Sequence, residues 1–236
     1  MSVARQPKGI PVGGQYAANA HDEADVPLVT ENPRKSIGQF VYALRALDAE
    51  LRDIGVSEPV KVRATGGFAL LSHGLREDGY TVDIDTITAD YEPRVRDAIN
   101  RVAHDLHLER DWINNQAVGD SVEETMEALD AVFIAQDYGL ERIDLSVADV
   151  PTLTRAKAIV VDVDAMSGRT RDWDDLVSLM DRQGITSYDD FARRYPSIPE
   201  WEYPETHRSV RSWFETGERG DPEPEEDFDF DWMDDE

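Results

Sequence analysis

Asp83 and Asp85 stand one residue apart in the segment Tyr80-Thr81-Val82-Asp83-Ile84-Asp85-Thr86-Ile87. On a regular strand alternate residues share a face, so the two carboxylates would sit side by side about 6–7 Å apart, with Val82 and Ile84 facing the other way. Ionised acids that close repel each other unless a cation lies between them. Hard oxygen ligands with open positions suit magnesium, or manganese, carrying the phosphates of a substrate. The other reading of the same residues is a strand end whose acids are simply solvated.

Upstream, with fifteen residues (68–82) between Gly67 and Asp83, the run Ala64-Thr65-Gly66-Gly67-Phe68-Ala69-Leu70-Leu71 places two glycines between an alternating segment, Val60-Val62-Ala64, and an apolar run ending at Gly74. This pattern predicts a strand, a tight turn and a helix. Glycine lacks Cβ and lets a ligand approach the backbone, while free N–H groups and the helix dipole favour phosphate. A glycine pair also makes an ordinary turn, and only its combination with the two acids points to a nucleotide.

Together these motifs resemble the nucleotidyltransferase superfamily typified by the DNA polymerase β palm, in particular bacterial stand-alone members related to abortive-infection and toxin–antitoxin nucleotidyltransferases. Gly66, Gly67, Thr81, Asp83 and Asp85 match its pattern of a glycine pair after a strand, a helix, and Asp-x-Asp preceded by threonine. Trp112-Ile113-Asn114-Asn115 is similar to a Trp-Leu-Asn segment of such proteins. Leu153 to Lys157, followed by Arg171-Asp172-Trp173-Asp174-Asp175-Leu176, is similar to their lysine helix and Arg/Lys-Asp-x-x-Asp-Leu segment. The resemblance covers about residues 36 to 186. The chain departs from the family at Gly67, where many active members carry serine, and at Gly79, where relatives often carry arginine, although Arg76 is near in sequence.

The resemblance implies a magnesium-dependent enzyme that moves an NMP from an NTP to an acceptor hydroxyl or phosphate, the acceptor being a small molecule, a protein or RNA. It also implies a third carboxylate from a later strand. Asp144, on the polar side of the alternating run Ile143-Leu145-Val147, is the candidate for a metal centre of Asp83, Asp85 and Asp144, with a part in deprotonating the acceptor. Gly66, Gly67, Thr81 and Lys157 would bind the nucleotide, Lys157 as a point charge on a helix opened by Pro151. Asp172 and Asp175 either complement the dipole of their own helix or contact substrate. The alternative function, favoured by the missing serine and the acidity, is a catalytically silent nucleotidyltransferase-fold protein that binds or regulates a partner, as an antitoxin does.

Other chemistries lack their residues. The five histidines show no His-x-x-x-His spacing, and there is no Gly-x-Ser-x-Gly, no Walker loop and no cysteine. The absence of cysteine fits a reducing cytoplasm, and no apolar run of membrane-spanning length occurs.

With 236 residues, 40% hydrophobic and 31% charged, the chain can build one well-cored domain between two tails. The expected division is a disordered tail over 1–35, a domain over 36–216, and an acidic tail over 217–236. Of the net charge of −26, the eleven acids of residues 218–236 against Arg219 account for −10, leaving −16 for the rest. Such acidity argues against tight binding of long nucleic acids, which needs Lys and Arg. Phe228, Phe230 and Trp232 interleave with the tail's acids, so the tail either solubilises or docks on a basic protein partner.

Hydrophobic periodicity predicts a helix capped by Ser36 through Gly55, a strand over 60–65, a helix over 68–76, a strand over 80–88 and a helix over 92–107. A loop through Trp112, a helix over 121–130, strands near 132–137 and 140–147, and helices over 151–160, 172–183 and 187–194 follow. Tyr203 to Phe214 would form a last, loosely attached helix. The order predicts an α+β domain, a mixed sheet with flanking helices and a small helical C-terminal part.

Overall fold

The computed structural model describes residues 34–76, 79–87, 91–114, 131–163 and 170–220. The expected helix over 121–130 and nearly all of both expected tails lie outside these residues. Strand β1 (Lys35–Ser36) leads into helix α1 (Ile37–Asp53), followed by β2 (Val60–Ala64), α2 (Gly66–Ser72), β3 (Tyr80–Thr81), β4 (Ile84–Asp85), α3 (Pro93–Asp105) and β5 (Ile113–Asn114). The second half comprises β6 (Phe133–Ala135), β7 (Ile143–Ala148), α4 (Val150–Val163), α5 (Arg171–Arg182), α6 (Tyr188–Arg194) and α7 (Pro204–Thr216).

Strand β7 is central. It pairs in parallel with β2, Val62 opposite Leu145 and Ala64 opposite Val147, and antiparallel with β6. Strand β4 runs parallel to β5 and is stitched to β2 by an antiparallel bridge between Ala64 and Thr86, reinforced by Thr65 N–H to the Asp85 carbonyl at 2.8 Å and Ile87 N–H to the Arg63 carbonyl at 3.1 Å. The order is therefore β5-β4-β2-β7-β6, a mixed arrangement, and the chain is an α+β protein. A separate antiparallel pair joins β1 to β3, with Lys35 opposite Thr81.

The expected single strand over 80–88 is two short strands with different partners. Tyr80–Thr81 belongs to β1 and Ile84–Asp85 to β5, and the chain bends between them at Val82 and Asp83. Alternation fails at that bend: Val82 is 38% exposed, whereas Ile84 is fully buried. Strand β5 follows the expected loop through Trp112, at a place where no element was expected. Its two residues give no periodicity to read, and only pairing with β4 makes it a strand.

Two apolar clusters hold the domain. Val62, Ala64, Leu145, Val147 and Ile84 on one sheet face meet Phe40, Leu44, Leu47 and Leu51 of α1, Phe68 and Leu70 of α2, and Val95, Ile99 and Val102 of α3. Phe40 and Phe68 pack edge to face at 5.9 Å. Ser36 starts α1 with a capping box, its hydroxyl accepting from Gln39 N–H while the Gln39 side chain accepts from Ser36 N–H. Asp48, buried on α1, accepts from the N–H groups of Glu141 and Arg142 at 2.9 and 2.6 Å, which fixes α1 against the entry to β7.

The second cluster, of Ala158, Val161, Trp173, Leu176, Met180, Phe191, Tyr195 and Val210, is made by α4 to α7. It forms the expected helical C-terminal part, but α7 is not loosely attached. Its Thr206, His207, Ser209 and Val210 are buried, and the Asp162 carboxylate of α4 accepts from Glu205 N–H and Thr206 N–H at 2.8 and 3.0 Å, capping α7 from outside its own chain segment. No helix among the described residues is long and apolar enough to cross a membrane.

Candidate functional site

The bend between β3 and β4 brings Asp83 and Asp85 together at the end of β2 where the glycines lie. Asn114, next door on β5, donates its side-chain amide to Asp83 Oδ2 at 2.9 Å. Burial lifts the Asp83 carboxyl above its ordinary value, opposed by that hydrogen bond and increased by the charge of Asp111. Asp85 is pushed further, to about 6, by burial and then by the charge of Asp83, against the pull of Lys157 and Arg76. The pair thus carries an unmet electrostatic cost whenever both acids are ionised.

Gly66 and Gly67 form the first turn of α2, a helix of only seven residues. Gly66 has φ +55°, in the left-handed region, and a Cβ there would overlap the Asp85 carboxylate. A Cβ on Gly67 would overlap the Thr81 hydroxyl and the Arg76 guanidinium. The space that the glycines were expected to keep for a ligand is therefore taken by Asp85, Thr81 and Arg76. Their absence of side chains is what allows these groups to close on the turn.

Behind the acids lies a buried ion network. Arg76 makes a bidentate pair with Asp175 of α5, Nε to Oδ1 at 3.1 Å and Nη2 to Oδ2 at 2.9 Å, and Nη1 donates to the Tyr80 carbonyl at 3.2 Å. Lys157 of α4 pairs with Asp175 Oδ2 at 3.0 Å and with Asp172 Oδ1. Burial pushes Asp175 upward, but the hydrogen bonds from Arg76 and the Lys157 charge outweigh it and hold its carboxyl below the ordinary value. Arg76 and Asp175 side chains are under a tenth exposed. Asp172 and Asp175 are therefore partners of the site's cations, rather than residues that only complement the dipole of α5.

Asp144 is elsewhere. Ala64 lies opposite Val147 on one side and Thr86 on the other, whereas Asp144 pairs in register with Lys61, three residues earlier. It is thus about 10 Å down the strand from the row at Ala64, with Asp85 beyond the other side of that row. The register is set by burying Leu145 and Val147 beside Val62 and Ala64, and it leaves Asp144 bound to Arg63 at 3.1 Å, with Arg63 also donating to Ser146 at 2.7 Å. The expected centre of Asp83, Asp85 and Asp144 is not assembled, and among the described residues no group of three or more His, Cys, Asp or Glu side chains is placed to hold a metal ion.

Of the expected residues, Gly66, Gly67, Thr81, Asp83, Asp85 and Lys157 converge and Asp144 does not. Arg76 and Asn114 join them without having been assigned a role in binding, and Asp175, for which substrate contact was one of two readings, joins as the partner of Arg76 and Lys157. Arg76 could have been sought as the replacement for the arginine absent at Gly79. Asn114 carried no signal beyond its place in the Trp112-Asn115 segment.

The donor set still suits a divalent cation. Arg76 and Lys157 are paired with Asp172 and Asp175, and their pull on Asp83 and Asp85 is outweighed by burial and by the repulsion between acids. Magnesium is commonly held by one or two carboxylates, with water and phosphate oxygens completing its shell. Comparison with family models, with curated proteins and with solved structures finds no match to this chain.

Proposed function

We propose that the chain is a nucleotidyltransferase that transfers an NMP from an NTP to an acceptor hydroxyl or phosphate, using magnesium or manganese. The observation that carries this reading is the meeting of Asp83 and Asp85, whose carboxyls burial holds above their ordinary values, with Arg76 and Lys157 at one glycine turn. Asp83 and Asp85 would hold the metal, with Asn114 orienting Asp83 through Oδ2. When bound, the metal supplies positive charge to the phosphates of the nucleotide. Arg76 and Lys157 add fixed positive charge beside it, and Asp172 and Asp175 hold both cations in place. In the transfer, an acceptor oxygen forms a bond to the α-phosphorus as the bond from that phosphorus to the bridging oxygen breaks, pyrophosphate leaves, and the proton of a hydroxyl acceptor passes to water; no role as base falls to Asp144.

The second reading, a silent fold that binds a partner, also has a specific observation behind it. Arg76 and Lys157 are engaged by Asp172 and Asp175, so a triphosphate must compete with buried carboxylates for these two cations. Incubation of the protein with each of four labelled NTPs, magnesium and cell lysate separates the two. Nucleotidyl transfer predicts label on an acceptor, at least a hundredfold lower for Asp83→Asn with Asp85→Asn. No label from any nucleotide, or equal label from the double variant, would leave the binding protein.

A further inference from the structure

Arg76 and Asp175, whose pair stands behind the acids, also line a cleft of about 420 Å³ bounded by α5 and α7. Its other walls include Trp173 and Trp213, packed edge to face with ring centres 6.1 Å apart. Trp173 is buried, but Trp213 is only half-buried and presents surface to the cleft. Two arginines, Arg76 and Arg171, and two aspartates, Asp174 and Asp175, balance in charge around it. The Ser178 hydroxyl donates to the Asp174 carbonyl at 3.0 Å, which leaves its oxygen able to accept.

These features select a flat, unsaturated and uncharged group with hydrogen-bonding edges. Trp173 is covered by the Arg219 guanidinium, 5.8 Å from its ring centre, so the stacking surface is that of Trp213, and the balanced charge of the lining offers no preference for a phosphate. We propose that this cleft binds the base of the nucleotide and so determines which NTP is used. The inference rests on the nucleotidyl-transfer reading for the position of the triphosphate, which would lie on the Asp83, Asp85 and Lys157 side of Arg76. Arg76 would then stand at the junction of the base and phosphate subsites, and α5 would contribute to both.

The test uses nucleosides, which carry no phosphate and need no metal. Saturation-transfer NMR of the full chain with adenosine, guanosine, cytidine and uridine should show saturable binding of at least one. Stacking on one aromatic residue is worth about five- to a hundredfold in affinity, so Trp213→Leu should weaken that nucleoside at least about fivefold while Trp213→Phe restores most of it. A melting scan of each variant establishes that it is folded. Absence of binding by all four nucleosides at millimolar concentration, or equal binding by wild type and Trp213→Leu, overturns the proposal. Binding lost in Trp213→Leu together with no label transfer from any NTP would keep the base site and discard the transferase reading; transfer without nucleoside binding would do the reverse.

Discussion

At the scale of single residues, the two glycines are explained by what sits against them. Gly66 combines a left-handed φ of +55° with the approach of Asp85, so Gly66→Ala introduces both backbone strain and a collision. The expected loss is about 1–3 kcal/mol of stability, measurable as a shift in urea midpoint. Gly67→Ser supplies the hydroxyl common among the resembling enzymes, yet here its Cβ meets Thr81 and Arg76. It should destabilise by a similar ~1–3 kcal/mol, and an unchanged midpoint would show that the turn has room after all. Asp85 makes a prediction about pH. Its carboxyl is raised from 3.8 to about 6 in the folded chain, so the folded state binds the proton more tightly and stability falls as pH rises from about 4 to about 6. In metal-free buffer Asp85→Asn should abolish most of that fall and be the more stable protein at pH 7, by on the order of 2 kcal/mol. A flat wild-type profile across this window would contradict the burial described here.

Among elements, α5 contributes both to the ion network and to the adjoining cleft. It supplies Asp172 and Asp175 to Lys157 and Arg76, and Trp173 and Ser178 to the adjoining cleft. Truncating one member of a buried ion network leaves the remaining charges without compensation. Asp175→Ala should therefore cost about 3–5 kcal/mol, whereas Asp144→Ala, which removes a half-exposed partner of Arg63, should cost about 1 kcal/mol or less. Comparable losses from the two would show that the network is not the anchor of α5. The short strands teach a related lesson. Strands β3 and β4 are two residues each, and their change of partner at Val82 and Asp83 turns the acids toward the glycines.

For the molecule as a whole, a cation bound only by the folded state raises apparent stability by mass action, by about 2.7 kcal/mol at a hundred times its Kd. Magnesium or manganese should accordingly raise the melting temperature of wild type, and Asp83→Asn with Asp85→Asn should remove the rise. An equal rise in both proteins would place the ion elsewhere on this strongly acidic chain, whose net charge of −26 attracts cations without any specific site.

The α+β class, the positions of most helices and the pairing of Gly66–Gly67 with Asp83 and Asp85 were legible from the sequence alone. Apolar periodicity, caps and turn residues are local properties of the chain, and each is carried by neighbours within a few positions. Ser36 before its apolar face and Pro151 at the start of α4 are examples. Tertiary structure alone decided the fate of Asp144, because a strand's register depends on which apolar residues meet across it, and a shift of a few residues moves a carboxylate about 10 Å. It likewise decided that Arg76, Lys157 and Asp175 form one network across three helices' worth of chain. Charges separated by up to 99 positions leave no spacing to read, and only the packing of α5 against α4 and against the turn that follows α2 brings them within hydrogen-bonding distance.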